Sequence, residues 1–193
     1  MKIAITGGIG SGKSYVCRLL EQRGISIYDC DSAAKRLMHT SEPLRQQLTE
    51  LIGPDTYDNE GRLNKAVVAQ FLLQSEENAK AIDNIVHPAV AHDFQNSGYQ
   101  WMECAILFES GFEQLVDRII VVTAPEEVRI NRIMHRDGIN SEKAQEWINR
   151  QWSQEKVRQR ADFEIVNDGK QDLNQKINDI ILSLSKNNNV ITI

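Results

Sequence analysis

A glycine-rich stretch close to the start of the chain has the residue types that hold phosphate groups. Residues 7–14 read GGIGSGKS and fit the pattern G-x-x-x-x-G-K-[S/T]. Glycines let backbone N–H groups approach phosphate oxygens closely, and the positive end of a following helix adds to the attraction. Lys13 is placed to reach the β- and γ-phosphates of a nucleotide, and the Ser14 hydroxyl is placed to ligate Mg²⁺. The stretch predicts a nucleotide-binding loop, with a glycine-rich hairpin turn as the alternative.

Two aspartates follow the second apolar segment. Ile25–Tyr28 predicts a short strand that runs into Asp29 and Asp31. Ligands of open α/β sheets bind beyond the carboxyl ends of the strands. The two carboxylates are therefore candidates for a general base and for a Mg²⁺ contact. The alternative is capping, by Asp31 or Ser32, of the next helix, which is predicted over Ala33–His39.

A third carboxylate comes after the third apolar segment. Trp101–Phe108 predicts a strand, and Glu109 follows it directly. Glu109 would then lie at the carboxyl edge of the same sheet as the two aspartates. The alternative is an acidic loop residue in solvent.

Positive charge is concentrated between residues 129 and 160. Arg129, Arg132 and Arg136 recur at spacings of three and four, which puts them on one face of a helix. The segment also contains Arg150, Lys156, Arg158 and Arg160. Phosphoryl transfer spreads negative charge over the transferred group, and arginines of a mobile segment can neutralise it. The alternative is a solvated helix face.

Strands and helices alternate around these residues. Val16, Leu19 and Leu20 recur at helical spacing after the glycine-rich stretch, and Gly24 ends the predicted helix. The predicted strands are Ile3–Ile5, Ile25–Tyr28, Trp101–Phe108, Arg118–Thr123 and Phe163–Val166. This order predicts an α/β fold in which helices cover both faces of a five-stranded parallel sheet, with right-handed crossovers.

Residues 41–97 predict helices only, because apolar residues recur there at helical spacing. His87 precedes Pro88, and the residue before a proline is pushed away from helical geometry, so a helix break is expected there. A block of this length exceeds a simple crossover between strands. It predicts an inserted subdomain that is suited to gripping a substrate.

The overall composition narrows the class of protein. The 193 residues carry a formal net charge of −5, which does not favour nucleic acid as a partner. No apolar run approaches the roughly 18 residues of a membrane span, and the chain opens on a strand, so neither a membrane nor a signal peptide is expected. Cys17, Cys30 and Cys104 are scattered and odd in number, which indicates reduced thiols in the cytoplasm.

Along essentially its whole length the chain resembles the dephospho-CoA kinases. Eight stretches carry the resemblance. The first is the most specific by itself, and the eight together are specific because of their order and spacing. The stretches are Thr6–Ser14, Asp29–Asp31, His87–Pro88, Leu107–Glu109, Arg132 with Arg136–Gly138, Gln151, Ala161–Asp162 and Asn167–Gly169.

The resemblance implies a reaction and a layout. The γ-phosphate of ATP would pass to the ribose 3′-hydroxyl of dephospho-CoA, which gives coenzyme A and ADP in the last step of coenzyme A synthesis. It implies a P-loop kinase fold with a nucleotide-binding core (residues 1–29, 97–128 and 157–193), a helical acceptor domain (30–96) and a helical lid (129–156). A monomer is expected, with an oligomer left open.

The resemblance also implies roles for single residues. Asp31 would orient the 3′-hydroxyl and take its proton late in the reaction. Arg132 and Arg136 resemble lid arginines, and Ser14 would contact Mg²⁺. The implied ATP contacts are Gly8, Ile9, Gly10, Ser11, Gly12, Lys13, Ser14, Tyr15, Arg132, Asn167 and Gly169. The implied acceptor contacts are Asp29, Asp31, Lys35, His87 and Glu109.

The chain departs from the family pattern at several positions. Tyr15 stands where threonine is common, and there the backbone N–H is the group that matters. Cys30, Ala105 and Arg129 stand where alanine, proline and glutamine are usual. Lys35 stands where arginine is common, and lysine cannot make the bidentate contact of arginine.

Two other functions remain as alternatives. The first is another small-molecule P-loop kinase, such as a nucleoside or nucleotide kinase. The Asp-x-Asp and His-Pro pattern around the helical insertion argues against it. The second is a GTPase-like switch or a non-catalytic nucleotide-binding module. The guanine-recognition pattern Asn-Lys-x-Asp is missing, since Asn64-Lys65 is followed by Ala66-Val67.

Overall fold

The computed structural model describes residues 1–188, so the last residues of the predicted core segment 157–193 lie outside the described residues. The chain forms two compact units. The first contains Met1–Tyr28 and the chain from Tyr99 onward, and the second contains Asp29–Gly98.

A five-stranded sheet forms the first unit, in the order β2-β3-β1-β4-β5. The strands are β1 Ile3–Thr6, β2 Ile27–Asp29, β3 Trp101–Glu103, β4 Arg118–Thr123 and β5 Phe163–Val166. β1 pairs in parallel with β3 on one side and β4 on the other, and β4 pairs in parallel with β5. The predicted α/β fold with a parallel five-stranded sheet is confirmed. The predicted bounds of β4 and β5 are also confirmed.

Nine α-helices are present in the described part of the chain. They are α1 Lys13–Glu21, α2 Cys30–Thr40, α3 Glu42–Ile52, α4 Lys65–Gln74, α5 Glu76–Asn96, α6 Glu126–Asp137, α7 Ser141–Asn149, α8 Gln154–Arg158 and α9 Leu173–Asn188. α1 and α9 bury their apolar residues in one cluster with β1, β4 and β5. Because β1 lies between β3 and β4 and packs against α1, the loop that joins β1 to α1 begins and ends on buried elements of the unit.

The second unit consists of helices α2–α5 and a short 3₁₀ turn at Pro54–Thr56. Its core contains Leu44 and Leu48 of α3 together with apolar residues of α5. The prediction that residues 41–97 form helices is confirmed, apart from one isolated β-bridge between Tyr57 and Leu63.

The predicted helix break at His87-Pro88 is wrong, since α5 runs from Glu76 to Asn96 with Pro88 inside it. Proline removes one hydrogen bond and crowds the preceding turn. The helix continues because Val86 and Val90, on either side of this point, are both buried in the core of the unit. Tertiary packing thus outweighs the local preference.

The third strand is shorter than predicted. β3 ends at Glu103, and residues 104–111 form turns in which Leu107 and Phe108 are buried. A short apolar run looks the same in a strand and in a buried turn, so periodicity could not separate them. As a result Glu103, and not Glu109, lies at the carboxyl end of β3.

Within residues 1–188 no helix combines the length and apolar character that a bilayer crossing requires. The three cysteines are reduced, and all of them are buried.

Candidate phosphate-binding site

The glycine-rich stretch forms the loop between β1 and α1. Gly10 and Gly12 have φ of 79° and 85°, in the left-handed region that favours glycine. There is also no room for a side chain. A Cβ at Gly12 would lie 2.0 Å from Asn167 Nδ2, and a Cβ at Gly10 would lie 2.7 Å from the Arg129 carbonyl oxygen. The loop conformation and its close neighbours therefore both require glycine at these two positions.

Helix α6 supports the loop through its arginines. Arg129 Nε donates to the Ile9 carbonyl oxygen at 2.9 Å. Arg132 Nη1 donates to the Gly10 and Ser11 carbonyl oxygens at 3.3 and 3.1 Å. Three successive carbonyl groups of the loop thus accept hydrogen bonds from α6, because two arginines three residues apart share one face of the helix.

Two amide side chains complete the support. Gln151 Oε1, in the turn after α7, accepts from the Ile9 N–H at 2.7 Å. Asn167, directly after β5, is buried and donates from Nδ2 to the Ser11 carbonyl oxygen at 3.0 Å. Arg132 Nη2 also donates to the Asn167 carbonyl oxygen at 3.0 Å. Segments far apart in the sequence therefore fix one conformation of the loop.

Glu103 is the carboxylate that reaches the loop. Its Oε1 pairs with Lys13 Nζ and accepts from Ser14 Oγ at 3.1 Å. The register places Glu103 beside Ile5 of β1, one residue before the loop-bearing end of that strand. Sequence reasoning missed Glu103 because it lay inside a predicted strand. The available signal was a charged residue in an otherwise apolar segment.

The same carboxylate affects Cys17 of α1. Burial raises the pKa of the Cys17 thiol, and the charge of Glu103 raises the pKa further. The raised pKa favours a protonated Cys17 thiol at neutral pH, which is the unreactive form.

Other predicted residues of the first unit lie away from the loop contacts. Arg136 at the end of α6 pairs with its neighbour Asp137 at 2.8 Å, and its side chain is 61% exposed. Glu109 Oε1 accepts from the Trp152 N–H at 3.2 Å. Gly169 lies in an open turn, where a Cβ would meet nothing within 4 Å. Of the two predicted lid arginines, only Arg132 contacts the loop in this structure.

The acceptor candidates Asp29, Asp31, Lys35 and His87 belong to the second unit. Asp29 caps α2, because its Oδ1 accepts from the N–H groups of Asp31 and Ser32 at 2.9 and 3.1 Å. The alternative interpretation, capping of this helix by Asp31 or Ser32, is therefore wrong. The helix starts three residues earlier than predicted, at Cys30 instead of Ala33, since Asp29 already supplies the oxygen that the first turn needs. The Asp31 carboxylate is exposed in that turn.

Substitution of Gly12 by alanine tests the geometry of the loop. We expect Gly12→Ala to weaken ADP binding about a hundred-fold, because the clash with Asn167 shifts the amides that would face phosphate, each worth about 1.5–3 kcal/mol with a charged partner. Titration calorimetry with ADP measures this loss.

Gly24→Ala is the matched control. Gly24 has nearly the same φ of 81° but nothing within 4 Å of its Cβ position. Its substitution should lower the free energy of unfolding by about 1–2 kcal/mol and leave ADP affinity unchanged. Wild-type ADP affinity in Gly12→Ala would contradict the interpretation.

Comparison with known proteins connects this geometry to a family. A dephospho-CoA kinase of Bacteroides fragilis is 39% identical over 195 residues, which covers 95% of this chain and 93% of that protein. Among solved structures, TT1252 of Thermus thermophilus matches with a TM-score of 0.81 at 30% identity, over 95% of this chain and 96% of that chain.

A dephospho-CoA kinase from Campylobacter jejuni has the same fold, with a TM-score of 0.69 at 23% identity over 97% of this chain and 100% of that chain. The family model described as Dephospho-CoA kinase matches residues 1–172, most of the chain. The phosphate loop lies near the start of the matched residues. The chain belongs to the dephospho-CoA kinase family.

Proposed function

We propose that the chain transfers the γ-phosphate of ATP to the ribose 3′-hydroxyl of dephospho-CoA, which gives coenzyme A and ADP. The phosphate loop is the observation that carries the proposal. Hydrogen bonds from α6, Gln151 and Asn167 hold this loop, and the chain belongs to the dephospho-CoA kinase family. In the reaction the 3′-oxygen forms a bond to the γ-phosphorus, and the bond from that phosphorus to the β,γ-bridging oxygen breaks.

The loop would hold the phosphates of ATP through backbone N–H groups and Lys13. The pairing of Lys13 with Glu103 keeps the lysine side chain at the loop, with 13% of it exposed. Phosphate oxygens offer the ammonium group a second partner there, so little reorganisation is needed when the nucleotide binds. The turn from Asn167 to Gly169 is proposed to lie beside the adenine ring.

Asp31 is the proposed base for the 3′-hydroxyl. Capping by Asp29 fixes the first turn of α2 and thereby the position from which the Asp31 side chain leaves the backbone. An ordinary carboxylate is a weak base for an alcohol, so Asp31 would first accept a hydrogen bond from the hydroxyl and take the proton late in the transfer. Lys35, His87 and Glu109 are proposed as further acceptor contacts.

Arg132 and Arg136 of α6 would stabilise the charge of the transferred group. Arg132 already contacts the loop, while Arg136 is exposed and paired with Asp137. Arg136 would leave this exposed partner for the more highly charged phosphate. On this proposal residues 129–156 act as the lid and residues 30–96 as the acceptor domain.

Mg²⁺ is proposed to bind beside the loop. The Ser14 hydroxyl and the Glu103 carboxylate approach each other to 3.1 Å, and they supply the hard oxygen ligands that Mg²⁺ prefers. These two residues therefore fit the ion, Ser14 directly and Glu103 directly or through water. When bound, Mg²⁺ would neutralise charge on the phosphates of ATP.

A reducing compartment such as the cytoplasm is proposed as the setting, because all three cysteines are reduced. A monomer is proposed as the working form of the enzyme.

ADP release with a panel of acceptors tests the reaction. With ATP and Mg²⁺ present, we expect strong stimulation by dephospho-CoA and none by adenosine, uridine or AMP, with coenzyme A as the product. Chromatographic identification of coenzyme A completes the measurement. Stimulation by another acceptor would show that the proposed substrate is wrong. Stimulation by no acceptor would favour a non-catalytic nucleotide-binding module.

Asp31→Asn tests the base. The amide keeps the size of the carboxylate but cannot take a proton, so we expect turnover to fall by at least about a hundred-fold. ATP affinity should stay within a few fold. Asp55→Asn, at an exposed aspartate of the same unit, is the control and should keep wild-type turnover. Lost ATP binding with preserved turnover in Asp31→Asn would contradict the assignment.

Glu103→Gln tests the proposed ion site. Loss of the carboxylate charge should raise the Mg²⁺ concentration for half-maximal turnover about ten-fold, as loss of partners around a metal commonly does. A Mg²⁺ titration at saturating ATP measures it, with Glu21→Gln at the exposed end of α1 as the control. An unchanged Mg²⁺ dependence would remove Glu103 from the site.

A further inference from the structure

Three successive carbonyl groups of the phosphate loop face one helix, α6. The Ile9 oxygen accepts from Arg129, and the Gly10 and Ser11 oxygens accept from Arg132. In a trans peptide the C=O of one residue and the N–H of the next point in opposite directions. The N–H groups of Gly10, Ser11 and Gly12 therefore point away from α6.

Two of these three N–H groups are left for a ligand. The Ser11 N–H is used within the loop, where it donates to the Gly8 carbonyl oxygen at 3.1 Å. Within residues 1–188 the N–H groups of Gly10 and Gly12 make no backbone or side-chain hydrogen bond. Two free donors on one side of a loop, at the start of α1, form an anion-binding concavity.

Ile9 is the residue at which this arrangement is fixed. Its N–H donates to Gln151 Oε1 at 2.7 Å, and its carbonyl oxygen accepts from Arg129 Nε at 2.9 Å. Both peptide groups that flank Ile9 are thereby held by residues more than 100 positions away in the chain. Rotation of the Ile9–Gly10 peptide would turn the Gly10 N–H away from a bound phosphate, and rotation of the Gly8–Ile9 peptide would withdraw the Gly8 oxygen from the Ser11 N–H.

The Arg129 side chain is enclosed by the loop. Only 3% of the residue is exposed, and its Nη2 lies 2.6 Å from the position that a Cβ on Gly8 would take. A buried guanidinium keeps its charge, so its hydrogen bond to the Ile9 oxygen is charge-assisted. Arg129 is thus packed against two successive loop residues, and its loss would leave the Ile9 oxygen without this donor.

We propose that Arg129 and Gln151 are positioning residues for the donor nucleotide: by holding Ile9 from both sides they keep the Gly10 and Gly12 N–H groups aimed at its β-phosphate. The proposal rests on the proposed function only in taking a nucleoside di- or triphosphate as the ligand. It predicts that the two residues act on the β-phosphate and leave the acceptor unaffected.

Arg129→Met tests the proposal, because methionine retains much of the volume of the arginine stem and removes every donor. We expect the Kd for ADP to rise about ten-fold, the effect of one charge-assisted hydrogen bond. The Kd for AMP, which lacks a β-phosphate, should stay within two-fold. Titration calorimetry with each nucleotide measures both values, without any acceptor present.

Arg150→Met is the matched control. Arg150 belongs to the same basic segment, but its side chain is 66% exposed and pairs with Glu146. This variant should bind ADP and AMP as the wild type does. Equal losses for ADP and AMP in Arg129→Met, or an unchanged Kd for ADP, would overturn the proposal.

Gln151→Leu provides a second test that does not depend on a buried charge. Leucine offers no acceptor to the Ile9 N–H, so we expect ADP binding to weaken several-fold while the Kd for AMP stays unchanged. In the double variant the losses should be less than additive, because both residues hold Ile9, one on each of its two peptide groups. If Arg129→Met does not fold, an unchanged ADP affinity in Gln151→Leu overturns the proposal by itself.

Steady-state kinetics separates this inference from the proposed reaction. For both variants KM for ATP should rise while kcat and KM for dephospho-CoA stay within two-fold of wild type. If dephospho-CoA is not phosphorylated but ADP affinity falls as described, the reaction is wrong and the positioning role stands. If wild-type turnover is found and ADP affinity is unchanged in the variants, the positioning role is wrong.

Discussion

The structure depends on how the backbone of the phosphate loop satisfies its hydrogen bonds. A loop that offers N–H groups to an anion must turn its carbonyl groups the other way, and buried carbonyl groups need donors. Arg129 and Arg132 supply those donors for three successive residues, and Asn167 adds a further one. Three segments thus meet at the loop of residues 7–14: helix α6, the turn with Gln151 and the end of β5.

The same requirement explains the local distribution of charge. The chain is acidic overall, with a formal net charge of −5, yet its loop is surrounded by Lys13, Arg129 and Arg132. Each of these cations has a protein partner: carbonyl oxygens for the arginines and Glu103 for the lysine. Partly buried charges are tolerated when such partners are present. Glu103, although it lies at the end of β3, is therefore part of the charge arrangement of the loop.

The helical unit is stabilised by different interactions. Its helices are fixed by side-chain burial on α3 and α5 and by a cap at Asp29. Burial on both sides of Pro88 keeps α5 continuous through a residue that usually ends a helix. The cap also separates the surroundings of two neighbouring carboxylates: Asp29 accepts hydrogen bonds from the backbone of α2, and Asp31 is exposed in its first turn.

The sequence by itself determined the loop, the parallel α/β fold, two strands with their bounds and the family, since these depend on local patterns or on motifs in a fixed order. The tertiary structure decided which charged groups meet. It placed Glu103 instead of Glu109 at the end of β3, because a buried turn and a strand have the same apolar pattern. It joined Ile9 to Arg129 and Gln151, which lie 120 and 142 residues further along the chain, and it paired Arg136 with Asp137 away from the loop. Periodicity reports on neighbours a few residues apart, and hydrogen bonds over such separations are set only when the strands and helices have packed.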